Sequence, residues 1–167
     1  QPAEATLKAK EQVRMAVAKV ALFEPLSEAT LEIDQNVLVI GGGISGMAAA
    51  RALSTQGYHV TLVERDKVLG GQARNLYVTG KGESIEEGLA DMVNSVAVDD
   101  KIDELLESSL KNVEGFVGNF VSTIETKGSE QEIRHGVAII ATGAEEYKPV
   151  EYLYGSSDKV VTGQELD

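Results

Sequence analysis

Apolar positions fall into a few compact blocks in the first half of the chain and into looser helical or alternating spacings elsewhere, and each spacing predicts an element. Residues 4–23 place Leu7, Val13, Ala16, Val17 and Val20 along one side of a stretch with few breakers, which predicts an amphipathic helix ended by Pro25. Residues 27–35 read as a connector. The block NVLVI at 36–40 is apolar after its first position and too short for a helix, as expected of a parallel strand buried on both faces. It runs into Gly41-Gly42-Gly43. Over residues 44–56, Met47, Ala48, Ala49, Ala50, Ala52 and Leu53 predict a helix, with Gly57 at its C-terminal cap. YHVTLV at 58–63 then predicts a second strand that closes at Glu64.

Past Glu64 the pattern loosens. Gly70-Gly71 marks a loop, and residues 84–98 predict a helix with Ile85, Leu89, Met92, Val93 and Val96 on one side. Residues 102–110 are helical by local propensity but ambiguous. Residues 113–124 and 131–134 read as antiparallel strands joined through a turn at Lys127-Gly128-Ser129. HGVAII at 135–140 reads as another buried strand, followed by Ala141-Thr142-Gly143. There is no internal repeat.

Composition narrows the function classes. The 167 residues suffice for one domain plus an appended element, with 43% hydrophobic and 25% charged positions as in an ordinary globular protein. A net charge of -12 without a basic patch disfavours nucleic acid and anionic membrane surfaces as partners. Lys8, Lys10, Arg14 and Lys19 are interleaved with Glu4 and Glu11 and read as a solvated helix face. With no cysteine, this stretch offers neither a disulfide nor a thiolate-held zinc or iron–sulfur cluster, and His59 and His135 lack metal-ligand spacing. No site for a metal is expected, and no catalytic side chain. No apolar run approaches the roughly 20 residues of a membrane span, nor does the start resemble a secretory signal, so the expectation is a cytoplasmic protein. Gln1 in place of an initiator methionine suggests a piece of a longer chain.

The residues with a chemical message are Gly41-x-Gly43-x-x-Gly46. They follow a predicted strand and open a predicted helix. The first glycine permits the tight turn, the second admits a pyrophosphate to the backbone, and the third lets helix and strand touch. The helix start at Ile44 offers free N–H groups and a positive dipole end. Glu64 stands about 20 residues further on, where a ribose needs an acceptor. An acid there binds a free 2′-hydroxyl and repels a 2′-phosphate, which disfavours NADP, although Arg65 leaves some room for it. By these residues alone FAD and NAD both remain open.

The stretch VLVIGGGISGMAAARALSTQGYHVTLVERDKVLGGQA at 37–73 resembles the FAD motif of the two-dinucleotide-binding-domain flavoproteins, and HGVAIIATGAEEYKP at 135–149 resembles their second conserved strand and ATG turn. KAKEQVRMAVAKVALFEPL at 8–26, VEGFVGNF at 113–120 and ATGAEEYKPVEYLYG at 141–155 are similar, more narrowly, to the A-subunit of heterodisulfide reductase. The resemblance implies an α/β, Rossmann-like FAD/NAD(P)-binding domain over 36–167, a parallel sheet with an antiparallel β-meander crossover, preceded by a helix and connector over 1–35. Residues 102–106 become a third parallel strand, against their helix propensity. The pairing of motifs favours FAD as the cofactor.

Carried over position by position, the resemblance sets the FAD pyrophosphate against the backbone of Gly42, Gly43, Ile44, Ser45 and Gly46, with Gly41 counted among the cofactor-binding residues as well. The ribose goes to Glu64, and the adenine lies beside Arg65 and the backbone of Ser109 and Leu110. Gly70, Gly71 and Gln72 fall near the phosphate and flavin side, with Ala141, Thr142 and Gly143 closing over the cofactor. The family implies an oxidoreductase of anaerobic metabolism in which FAD serves electron transfer, including electron bifurcation, with the B- and C-subunits of heterodisulfide reductase and an electron donor as partners. Its iron–sulfur clusters are bound by cysteines that this stretch lacks, so they are expected elsewhere in the full protein. Two rivals stand beside this reading: an NAD-binding domain of a pyridine-nucleotide oxidoreductase, and a non-enzymatic scaffold that docks a partner through the N-terminal helix.

Overall fold

The computed structural model describes residues 2–24 and 30–166. The chain divides into two units, the first ending at Leu31 and the second beginning at Glu32. The first holds α1 (Pro2–Ala21), a helix that buries none of its residues. It closes with Leu22 and Phe23 donating to the carbonyls of Lys19 and Val20, so the helix stops short of residue 23. The expected stop at Pro25 and the first part of the connector, 27–29, lie outside the described residues.

The second unit is built on β1 (Val37–Ile40), α2 (Ile44–Thr55) and β2 (Val60–Val63). Beyond them follow a 3-10 turn (Gly71–Asn75), α3 (Ile85–Ala97), β3 (Ile102–Leu105), β4 (Ser108–Phe116), β5 (Asn119–Thr126), β6 (Ser129–His135), β7 (Val137–Ile140) and α4 (Gly163–Leu166). A four-stranded parallel sheet runs in the order β3-β2-β1-β7, and β4-β5-β6 form an antiparallel sheet of three. The α/β fold with its β-meander is therefore present as expected.

Successive side chains of a strand point to opposite faces, and β1 uses both. Val37 and Val39 join Met47, Ala50, Val60, Leu62, Leu89, Val96 and Ile102 in the core beneath the helices. Leu38 points the other way, onto Val63 and Ile124 under the meander. Each fully buried Val or Leu contributes about 1.5–3 kcal/mol, so the doubly apolar β1 holds the three layers together. Ser84 caps α3 by accepting from the Glu87 amide, and the Ser54 hydroxyl donates to Asp99 (2.5 Å), joining α2 to the turn before β3.

Three sequence expectations need correction. The run 113–124 is not one strand: it reverses at Val117-Gly118, and β4 starts earlier, at Ser108. Gly115 (φ +101°) explains the break, since a Cβ there would meet the Asn119 carbonyl oxygen at 2.1 Å. HGVAII is also two elements, because His135 ends β6 and Gly136 turns the chain into β7. Nor is β7 buried: as the outer strand it leaves Val137 52% and Ile140 76% exposed. The override at 102–106 is real, for β3 pairs in parallel with β2, and Glu107, at φ +51°, ends it.

His135, read from sequence as an ordinary packed histidine, is fully buried between the two sheets. Its Nδ1 lies 3.1 Å from the Val137 carbonyl oxygen, which can only accept, so Nδ1 carries the proton and Nε2 accepts from the Ser122 hydroxyl at 2.7 Å. The ring stacks on Phe120 at 5.5 Å. Burial pushes its pKa below the ordinary histidine value, against the bond to Val137 and the charge of Asp34. The unfolded chain thus takes up a proton at mildly acid pH that the folded chain refuses, and stability is lost as pH falls through the unfolded value of about 6.5. The melting temperature is expected to drop between about pH 7 and about pH 5, and less steeply in His135→Gln. Equal slopes in the two proteins would contradict this assignment.

Candidate functional site

The carboxyl ends of β1, β2 and β7 open into a cleft of about 450 Å³, a size usual for cofactor sites. Its floor is the turn from β1 into α2. The Gly41 amide donates to the Val63 carbonyl oxygen at 2.8 Å. A Cβ on Gly41 would lie 2.3 Å from the Ala141 carbonyl oxygen, and one on Gly46 would lie 1.8 Å from that of Gly41. Here backbone packs on backbone. Gly43 differs: it is the N-cap of α2 with no side-chain cap, at an ordinary φ of -74°, and a Cβ on it would meet nothing within 4 Å.

The first helical bond of α2 runs from the Met47 amide to the Gly43 carbonyl oxygen. Among the described residues the amides of Ser45 and Gly46 donate to no carbonyl, as the geometry of a helix start allows, while Ile44 follows Gly43, which forms a parallel bridge with Gly70. The Ser45 and Gly46 donors and the positive end of the helix macrodipole suit an anion.

Glu64 forms the rim. It is 6% exposed, and both its oxygens are engaged: the Gly42 amide donates to Oε2 at 2.6 Å and the Asp66 amide to Oε1 at 2.9 Å. A carboxylate accepts through about four lone pairs, so each oxygen retains capacity for a further donor such as a ribose hydroxyl. A free hydroxyl therefore fits this acceptor, whereas a phosphate does not.

Of the residues expected from sequence, Gly41, Gly43, Ile44, Ser45, Glu64, Arg65, Gly70, Gly71, Gln72, Ala141, Thr142 and Gly143 line the cleft together. Gly42 and Gly46 are buried beneath the turn. Ser109 and Leu110 are not in the lining. They stand on β4, Leu110 packed towards Leu38, Val63 and Ile124, although the Ser108 amide reaches the Glu64 carbonyl oxygen at 2.9 Å. Sequence reasoning missed Asp66, Ala73, Arg74, Asn75 and Ala144, which line the cleft as well. Arg74 donates from Nε to the Leu69 carbonyl oxygen at 2.6 Å.

Across the mouth runs the segment after β7. Gln72 Nε2 donates to the Ala144 carbonyl oxygen at 3.2 Å, and Arg65 pairs with Glu145 at 3.3 Å. Among the described residues no group of His, Asp or Glu could hold a metal ion, and no helix is long and apolar enough to cross a membrane.

Comparison with known proteins agrees with this geometry. The family model described as pyridine nucleotide-disulphide oxidoreductase matches residues 35–167. The iron-sulfur A-subunit of the CoB--CoM heterodisulfide reductase of Methanocaldococcus jannaschii is 40% identical over 74% of this chain and 19% of its own length. A protein of Archaeoglobus profundus described as like the heterodisulfide reductase A-subunit is 41% identical over 74% of this chain and 18% of its own. This chain therefore spans about a fifth of the length of the curated relatives it matches. Among solved structures, L-proline dehydrogenase from P. horikoshii shares the fold, with a TM-score of 0.58 and 23% identity over 73% of this chain and 25% of that one. The chain belongs to the pyridine nucleotide-disulphide oxidoreductase family, and its curated relatives within it are A-subunits of heterodisulfide reductases and proteins like them.

Proposed function

We propose that this chain is the FAD-binding part of an iron–sulfur flavoprotein of the heterodisulfide reductase A-subunit type. It would hold the flavin for electron transfer to a disulfide-reducing complex. The observation that carries the reading is Glu64, a buried carboxylate fixed by two backbone amides beside a helix start where, among the described residues, the Ser45 and Gly46 N–H groups donate to no carbonyl. That pairing suits a ribose and a pyrophosphate at adjoining positions. FAD is favoured over NAD by the relatives' family and by the ATG turn at 141–143 opposite the glycine loop.

In this proposal the amides of Ser45 and Gly46 bind the pyrophosphate, and Glu64 accepts from the adenosine ribose. The adenine would extend past Arg65 towards the backbone at Ser109 and Leu110, which the bond from Ser108 brings beside Glu64. Gly70, Gly71 and Gln72 border the flavin side, and residues 141–143 cover the cofactor. When bound, flavin supplies the capacity to take up and release electrons, and the chain supplies binding and orientation. The partners are the B- and C-subunits and an electron donor, the iron–sulfur clusters belong to other parts of the full protein, and electron bifurcation in the cytoplasm of an anaerobe is the finer form of the proposal.

Titration with FAD, followed by flavin fluorescence, tests the site. Glu64→Ala removes a charged acceptor worth about 1.5–3 kcal/mol, so FAD binding should weaken about 10- to 100-fold. Equal affinity in both proteins would exclude Glu64 from the site. Tighter binding of NAD than of FAD would favour the pyridine-nucleotide rival, and silence towards both that persists in the full-length protein would favour the scaffold.

A further inference from the structure

Resting on the reading of the cleft as an adenine-dinucleotide site, we propose that Glu145 is a specificity-determining residue: by engaging Arg65 it denies a ribose 2′-phosphate the cation it would need. The sequence leaves a specific ambiguity. Glu64 disfavours a 2′-phosphate, yet Arg65 follows it directly, and an arginine at this end of the second strand is what receives a 2′-phosphate in Rossmann-type sites. Glu64 sets the preference for a free hydroxyl, and an unengaged Arg65 beside it would offset that preference.

The fold decides it with a residue 80 positions away. Arg65 Nη2 lies 3.3 Å from Glu145 Oε1, and Glu145 follows directly on the cleft-lining residues 141–144. The tether of Gln72 to the Ala144 carbonyl oxygen holds that segment over the mouth. Glu64 and Asp66 line the cleft with Arg65, Glu145 pairs with Arg65, and Arg74 is anchored to the Leu69 carbonyl oxygen. A dianionic 2′-phosphate entering there would meet a carboxylate majority and a guanidinium already engaged. A free 2′-hydroxyl needs only the acceptor that Glu64 provides.

The pair is largely solvent-exposed, at 69% for Arg65 and 79% for Glu145, which bounds its influence to the range of a surface ion pair. The expected effect is accordingly modest and readable as a ratio. Dissociation constants of ADP-ribose and of 2′-phospho-ADP-ribose are measured by calorimetry for the wild type, Glu145→Gln, and Glu145→Gln with Arg65→Gln. In Glu145→Gln the ratio of the two constants should shift about fivefold towards the 2′-phosphorylated ligand. Removing Arg65 as well should return it to the wild-type value. An unchanged ratio in Glu145→Gln overturns the proposal, as does a shift that survives the loss of Arg65. If wild-type protein binds neither ligand, the dinucleotide reading itself has failed, an outcome separate from binding that does not discriminate.

Discussion

Replacing Gly46 with alanine is expected to destabilise the second unit by about 3 kcal/mol or more, the upper end of what overpacking costs. The added Cβ would sit 1.8 Å from the Gly41 carbonyl oxygen, with Val39 at 3.5 Å behind it. No flexible side chain is available to move. Gly41 is itself packed close to the Ala141 carbonyl oxygen and held by the hydrogen bond that its N–H donates to the Val63 carbonyl oxygen. Relief therefore requires α2 to withdraw from β1, which opens the core around Met47 and Ala50. Urea unfolding monitored by circular dichroism reads the loss directly. A wild-type midpoint would mean that helix and strand are not packed as described.

Gly43→Ala, three residues earlier, should have the opposite profile. Its Cβ would meet nothing within 4 Å, and its φ of -74° suits any residue. Glycine is preferred to alanine at an N-cap, so the change costs about 0.5–1 kcal/mol of stability, well below the cost at Gly46. The methyl group would, however, project from the one turn residue whose surroundings are open, on the side where the free amides of α2 face the cleft. A pyrophosphate held at hydrogen-bonding distance cannot share that space, and losing one or two charge-assisted bonds weakens binding by about 10- to 100-fold or more. Melting temperature and FAD titration on the same sample separate the two effects. A Gly43→Ala protein that binds FAD like the wild type would place the phosphates elsewhere, whatever its stability.

The contrast between these glycines explains why so much of the site was legible in the sequence. Gly41, Gly43 and Gly46 each answer a backbone requirement, and such requirements are written in single residue identities at fixed spacing. Glu64 was legible for a related reason, since it closes a strand whose length and apolar pattern locate its end. Asp66, Arg74, Asn75 and Ala144 were not, because they enter the cleft on loops and a 3-10 turn that carry no period. The hairpin reversal at Val117-Gly118 was hidden by its neighbours. Val113, Phe116, Phe120 and Val121 all favour strand, so only Gly115 and Gly118 signalled a break. Periodicity also reports which positions are apolar, not what covers them. It marked Val137 and Ile140 as strand residues correctly but gave no warning that β7 is an outer strand with much of its surface open.

Residues 102–105 show the reverse case, where tertiary pairing overrides local preference. IDEL favours helix in isolation, yet each of its positions pairs with β2, from Ile102 with Val60 to Leu105 with Val63. Glu64 adds a bond from its amide to the Leu105 carbonyl oxygen. The ladder that makes β3 a strand thus also fixes the residue at the rim of the cleft.

The most direct measurement is an amide-resolved NMR titration of the isotopically labelled chain with FAD. Saturable shifts are expected at Ile44, Ser45 and Gly46, at Gly42 and Asp66, whose amides hold the Glu64 carboxylate, and at residues 141–143. Shifts confined to the β4-β5-β6 meander or to α1, or no saturable shifts at all, would contradict a cofactor site at the glycine turn.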